Sequence, residues 1–310
     1  MASATSTSAA EAKSRFLDLR ALSALENLQF VTRQSIEGAF GGRHRSRRQG
    51  GAGEFADYRE YYEGEDLRRL DWKVLARTGR AYTRLYQDET NLRALLAIDA
   101  SSSMKFGARS AADGAGSKLE YVQYLATALS HIITRRQDQV GLAVVADKLE
   151  SVMSPGATRQ HMSLLQGAIE RVAPRPASQM HGSLRKLFEI AGRRGVLVFL
   201  SDFLFEDLEA AFADIRLFRH RGWEVILIHV VHPDEEKLPE GIGFRFVGLE
   251  GEGSLDASPG DLRAAYEERF GNHLEMVRSL ATGAGCDYRR ASTAVSYLQM
   301  LRGFLTERTG

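Results

Sequence analysis

Apolar residues fall into two kinds of pattern along this chain. Short, mostly apolar runs occupy residues 95–98, 140–146, 195–200 and 224–231. Between them, apolar positions recur every three or four residues, as at Leu119, Val122, Leu125, Leu129 and Ile132. A mostly apolar run of strand length predicts a strand covered on both faces, and the spaced pattern predicts an amphipathic helix. The spacing therefore predicts helices over 118–136, 158–172, 183–192 and 208–221. A hairpin partner for the second strand is expected at 148–153. Strands of this kind alternating with helices predict an α/β fold, a mostly parallel sheet with helices on both faces.

The flanks are less regular. Leu19, Leu22, Leu25, Leu28 and Val31 are spaced for a helix over 17–34. Residues 41–53 are Gly-rich and carry Arg43, Arg45, Arg47 and Arg48, which predicts a polar loop. Residues 55–77 are dense in aromatics and paired charges, and 81–89 suit a strand. After Pro233 the pattern predicts a strand at 244–249 and a helix over 259–281, then an edge strand at 286–291 and a closing helix over 293–307. The expected organisation is a disordered tail (1–16), an N-terminal accessory segment of helix, basic loop and small β lobe (17–90), and one α/β domain (91–310).

Composition narrows the function classes. The 310 residues are 44% hydrophobic and 26% charged, ordinary for a globular chain. Lys plus Arg number 41 against 40 acidic residues, a net charge of +1. That balance speaks against a dedicated nucleic-acid binder and against an acidic disordered segment. The one cysteine, Cys286, excludes a disulfide scaffold and a cysteine-built zinc site. No apolar run approaches the ~20 residues that a membrane span needs, and residues 1–13 lack the apolar centre of a secretory signal. A cytoplasmic location is expected.

The sharpest chemical signal is Asp99-Ala100-Ser101-Ser102-Ser103, directly after the first apolar run. In open parallel sheets, ligands sit beyond the carboxyl ends of strands. Asp99, Ser101 and Ser103 would project alternate oxygens there, a hard oxygen-only set that suits Mg²⁺. So sparse a negative set would leave an open position for a partner's carboxylate. The plainer reading is a turn with helix-capping serines. A second carboxylate at the same edge, Asp202 in the Ser201-Asp202 pair closing the third run, favours the first reading.

These residues carry a resemblance. Asp99-Ala100-Ser101-Ser102-Ser103-Met104 resembles the metal-ion-dependent adhesion site of von Willebrand factor A domains. Upstream, Glu54-Phe55, Arg59-Glu60-Tyr61, Gly64-Glu65-Asp66, Arg68-Arg69, Asp71-Trp72-Lys73 and Ala76-Arg77 resemble the signature of domain-of-unknown-function family fifty-eight, as does Ser201-Asp202-Phe203 further on. The resemblance covers most of 17–310. It implies a von Willebrand factor A-like, doubly wound sheet and a site binding Mg²⁺ or another hard divalent cation. It also implies a MoxR-type AAA+ ATPase and its client protein as partners. It carries over no catalytic residue. The usual site takes a Thr two residues before a Leu. Here Gly182 stands at that place before Leu184, and the adjacent Ser183 is the substitute after a one-residue shift.

The expected metal set is thus Asp99, Ser101, Ser103, Asp202 and Ser183. The chain has no G-x-S-x-G elbow and no Walker A pattern, and Ser101 stands where a metal phosphohydrolase of this layout has a second Asp. The expectation is a non-enzymatic protein-interaction module. A metal-dependent phosphohydrolase and a nucleic-acid adaptor through Arg43–Arg48 are the alternatives. His229 and His232, three apart in or just after a strand, point to opposite faces and predict no shared metal.

Overall fold

A computed structural model describes residues 14–32, 54–62, 70–87, 92–107, 116–176, 179–192, 194–241, 243–251 and 253–309. The Arg43–Arg48 loop, Gly64-Glu65-Asp66, Arg68-Arg69 and most of the expected tail lie outside them. The chain forms two compact units, Met1–Arg33 with Arg93–Gly310, and Gln34–Leu92.

The smaller unit holds β1 (Glu54–Glu60), α2 (Trp72–Thr78) and β2 (Tyr82–Gln87), with β1 and β2 paired antiparallel. Asp71 starts α2 by accepting hydrogen bonds from the Lys73 and Val74 backbone N–H groups. Gly79 ends it in the left-handed region, at φ 70°, where glycine pays no steric penalty.

The larger unit opens with α1 (Leu19–Ser23). The helix expected over 17–34 is therefore cut to five residues. Leu22 and Leu25 are buried as the spacing requires, but Phe30 is drawn instead to the far end of the chain. It packs on Phe304 with the Arg308 guanidinium over both rings, and Arg308 Nε donates to the Val31 carbonyl. That tertiary packing overrides helical periodicity after Ser23. Residues 17–32, expected in the accessory segment, thus fall in the larger unit, as do residues 14–16, expected in the tail.

Its sheet comprises β3 (Arg93–Asp99), β4 (Gln139–Val145), β5 (Leu149–Gly156), β6 (Val196–Ser201), β7 (Glu224–Val231) and β10 (Asp287–Ser292). Their order is β10-β7-β6-β3-β4-β5, all parallel except β5. On one face lie α3 (Lys118–Thr134), α4 (Arg159–Glu170) and α9 (Tyr297–Thr309). On the other lie α5 (His181–Ile190), α6 (Leu208–His220) and α8 (Pro259–Gly283). Both faces are covered, so every residue of β6 and β7 is buried, which explains their mostly apolar sequences. A one-turn α7 (Pro233–Glu236) follows β7, and β8 (Phe244–Val247) pairs with β9 (Ser254–Ala257) in a separate hairpin. This is a von Willebrand factor A-like α/β fold. The chain leaves β3 towards β4 on one side and returns to β6 on the other. The strand order thus reverses between β3 and β6, where the fold leaves a crevice.

His229 of β7 sits inside this core. Burial holds its imidazole far below the usual value, at about 3, and Nδ1 lies 2.9 Å from the Tyr288 hydroxyl. His232 instead caps α7, its ring accepting from the Asp234 N–H, so the two histidines share nothing. Because the folded protein keeps His229 neutral while the unfolded chain protonates it near pH 6.5, the unfolded state binds the extra proton between about pH 3 and 6.5. Stability from this group is full above that window and is lost on acidification, by up to about 1.4 kcal/mol per pH unit. Urea unfolding at pH 7 and pH 4.5 is expected to show a smaller loss for His229→Gln than for the wild type.

Candidate functional site

The reversal point brings four of the five expected site residues together. β3 ends at Asp99, and the chain turns at once into a short 3₁₀ helix, Ser102–Lys105. Asp99 Oδ1 accepts the Ser101 backbone N–H at 2.8 Å, closing the turn locally. Asp99 Oδ2 accepts the Ser201 hydroxyl at 2.5 Å, tying the end of β3 to the end of β6. The Ser101 and Ser103 hydroxyl oxygens are 3.0 Å apart, and the Ser103 hydroxyl also reaches Asp202. All of these residues are buried.

Asp202 is aimed by an unusual backbone. The next residue, Phe203, adopts φ 54°, a left-handed conformation that costs a non-glycine residue about 1–3 kcal/mol. The turn is held by the Ser201 hydroxyl accepting the Phe203 N–H and by Asp202 Oδ1 accepting the Leu204 N–H. It is also held by burial of the phenyl ring, which stacks on Phe212 and meets Phe199 and His229 edge-on.

Ser183 behaves differently. It lies in the first turn of α5, fully buried, and its hydroxyl donates to the Ala146 carbonyl just after β4. No hydrogen bond joins its hydroxyl to the other four. A side chain at Gly182, where the usual Thr would stand, would meet nothing within 4 Å.

The centre of the site is a residue that sequence reasoning missed. Lys118, the first residue of α3, is fully buried, and its ammonium donates to Asp202 Oδ2 at 2.7 Å and to Glu235 Oε1 of α7. The Phe106 ring lies 5.7 Å from the same nitrogen. Burial alone would lower the ammonium, but the Asp202 and Glu235 charges outweigh it and hold Lys118 above its usual range. Burial likewise pushes Asp202 up, and Lys118 overrides this to hold it below the usual carboxylate range. Asp99 has no such cation against it. Burial, then the neighbouring charge of Asp202, push its carboxyl up to about 7. Glu235 is also raised by burial, against the opposing pull of Lys118. It is fixed besides by accepting the His232 N–H at 2.9 Å.

One sequence signal pointed to Lys118. A cation on the first turn of a helix opposes the helix dipole, and a buried one demands carboxylates nearby. Glu235 shows the matching signal, an acidic residue just past the end of a fully buried strand.

A fourth carboxylate arrives from the β8–β9 hairpin. Glu250, in its turn, accepts the Ser103 backbone N–H at 2.6 Å. The loop after the 3₁₀ helix is pinned against the same region. Gly107, at φ 86°, lies so close to the His232 ring that a Cβ there would sit 2.3 Å from it.

The fit to the expected Mg²⁺ is partial at best. The separation of Ser101 and Ser103 matches adjacent corners of an octahedron with bonds of about 2.0–2.1 Å. The rest of the set does not follow. Asp202 already holds an ammonium on one oxygen and an N–H on the other, and Asp99 holds a donor on each oxygen. Ser183 serves the backbone, and a fixed positive charge stands among the carboxylates. Among the described residues no three His, Cys, Asp or Glu side chains converge as a metal cluster.

Fold and site together define a von Willebrand factor A-like domain with a D-x-S-x-S crest at the sheet's reversal point. The chain belongs to the family described as "Protein of unknown function DUF58", whose model matches residues 57–276. It is similar to the uncharacterized proteins Rv1480 of Mycobacterium tuberculosis (strain H37Rv) and Mb1516 of Mycobacterium bovis. Each is 28% identical over 233 residues, covering 72% of this chain and 69% of theirs. Among solved structures it is similar to the conserved hypothetical protein BatB from Bacteroides thetaiotaomicron, at 17% identity and a TM-score of 0.44, covering 71% of this chain and 99% of that one. It is also similar to the SpRpn10 VWA domain, at 13% identity and a TM-score of 0.39, covering 69% and 95%. Among the described residues no helix is long and apolar enough to cross a membrane.

Removing one partner of a buried ion pair strands the other charge, which costs about 3–5 kcal/mol. Asp202→Ala is expected to lose that much in guanidinium unfolding, whereas Ser101→Ala loses about 1 kcal/mol.

Proposed function

We propose that this chain is a non-enzymatic protein-interaction module that takes an acidic side chain of its partner at the D-x-S-x-S crest. The observation that carries this reading is the seat of Glu250. A carboxylate of the chain's own hairpin accepts the Ser103 N–H at 2.6 Å, so the crest already presents a donor suited to a carboxylate. Glu250 is the internal occupant, and a partner's acid takes its place. The hairpin around it exposes Val247, Leu249 and Leu255, apolar side chains of the kind that line interfaces.

The non-enzymatic part of the proposal rests on the absence of an activated nucleophile among the described residues of the crest. The imidazole of His229 is kept neutral and hydrogen-bonded to Tyr288, and the groups beside the crest serines are carboxylates, Asp99, Asp202 and Glu250, with no imidazole among them. As partner we propose the MoxR-type AAA+ ATPase that the family resemblance implies, or its client.

The test is binding of the purified chain to a MoxR-type ATPase of the same organism, by calorimetry. Glu250→Ala frees the seat, and a competing charge-assisted hydrogen bond of about 1.5 kcal/mol translates to roughly ten-fold tighter binding. Asp99→Ala, which unties the loop that carries the Ser103 N–H, is expected to weaken binding by a similar factor. Wild-type affinity in both variants would sink the crest as the binding site.

A further inference from the structure

We propose that Lys118 is the built-in cation of this crest, a tethered ammonium standing where the fold otherwise employs an exchangeable divalent ion. The inference goes beyond the reading above and does not depend on it, since it concerns the chain alone.

Three observations converge. The first is location. Lys118 has no solvent exposure, although lysine is among the residues least often buried unless paired. Its place on the first turn of α3, beside the Ser117 cap, gives it no help from the helix dipole. Its burial is therefore maintained by what it faces. The second is what it faces. Carboxylates from two separate elements close on the nitrogen, Asp202 after β6 and Glu235 in α7, and the Phe106 ring stands against it. Asp202 is one of the two carboxylates in the expected metal set. The third is what else the crest would need. The Ser183 hydroxyl donates its hydrogen bond to the Ala146 carbonyl, and Gly182 offers no side-chain oxygen. The outer donor that the resemblance leads one to expect from α5 is thus missing, while Lys118 brings a positive charge to Asp202 from α3.

A divalent ion at this place would have to share Asp202 with the ammonium and would meet its repulsion at short range. Conversely, removing the ammonium strands the two carboxylates it joined, Asp202 and Glu235, with the Ser103 hydroxyl beside Asp202, oxygens that a hard cation fits. The charge-neutralising role is therefore exchangeable between lysine and metal, and in this chain the lysine holds it.

The experiment uses Mn²⁺ as the probe, with the purified full chain. Electron paramagnetic resonance titration of the wild type is expected to show no stoichiometric Mn²⁺ binding at sub-millimolar metal, and its melting temperature is expected to be equal with Mn²⁺ and with a chelator. Lys118→Ala is expected to melt lower in chelator and to recover by roughly 5 °C at a hundredfold excess of Mn²⁺ over its dissociation constant. Lys118→Arg, which keeps the charge, is expected to stay indifferent to the metal. One bound Mn²⁺ per wild-type chain that disappears in Ser103→Ala would overturn the proposal, and this measurement stands even if Lys118→Ala does not fold. A folded Lys118→Ala chain that ignores Mn²⁺ would overturn it as well. A purely structural lysine predicts the lower melting temperature but not its recovery by metal.

Discussion

The larger unit is organised around one electrostatic constraint. A doubly wound sheet that reverses its strand order brings the ends of β3 and β6 side by side under covering helices, and here both ends carry acids. Asp99 and Asp202 have almost no solvent to share their charge, and Glu235 joins them from the turn after β7. Unpaired, such groups would cost several kcal/mol each. One ammonium resolves most of the conflict, drawing Asp202 into its charged form. Asp99 is left to a softer solution, a carboxyl poised near neutrality and bound by a serine hydroxyl and a backbone N–H. The beginning of α3, the turn after β6 and the cap of α7 are all placed by the need to meet at that nitrogen.

Much of this fold is legible in the sequence because its strands are buried on both sides. That burial leaves no polar alternation, so 195–200 and 224–231 read as strands without ambiguity and appear as β6 and β7. The D-x-S-x-S motif and Asp202 are legible for a related reason. Polar residues directly after such runs fall at the sheet's carboxyl edge whatever else the chain does. The N-terminal helix shows where periodicity misleads. Leu22 and Leu25 obey it, but Phe30 and Val31 answer to Phe304 and Arg308, nearly the whole chain away.

The cation of the site was hidden for a different reason. Lys118 and Glu235 lie 117 residues apart, and each looks locally like an ordinary helix-terminal residue. Their meaning comes only from the strand order that makes them neighbours. Ser183 illustrates the reverse. Its place next to Gly182, where the resemblance expects a Thr, made it the expected oxygen for the crest. The first turn of α5 instead aims it at the Ala146 carbonyl, a polar group that burial would otherwise have left unpaired.

Phe203 links this chemistry to the interior. A phenylalanine in a left-handed conformation survives only where its surroundings over-determine it, and here they are the rings of Phe199, Phe212 and His229. The orientation of Asp202 is thus set by aromatic packing between β6, α6 and β7, elements made late in the chain. A nascent or partly opened chain has the D-x-S-x-S sequence but not the crest. Recognition at this site, as proposed, would double as an inspection, because only a molecule with a closed aromatic core has the crest to present.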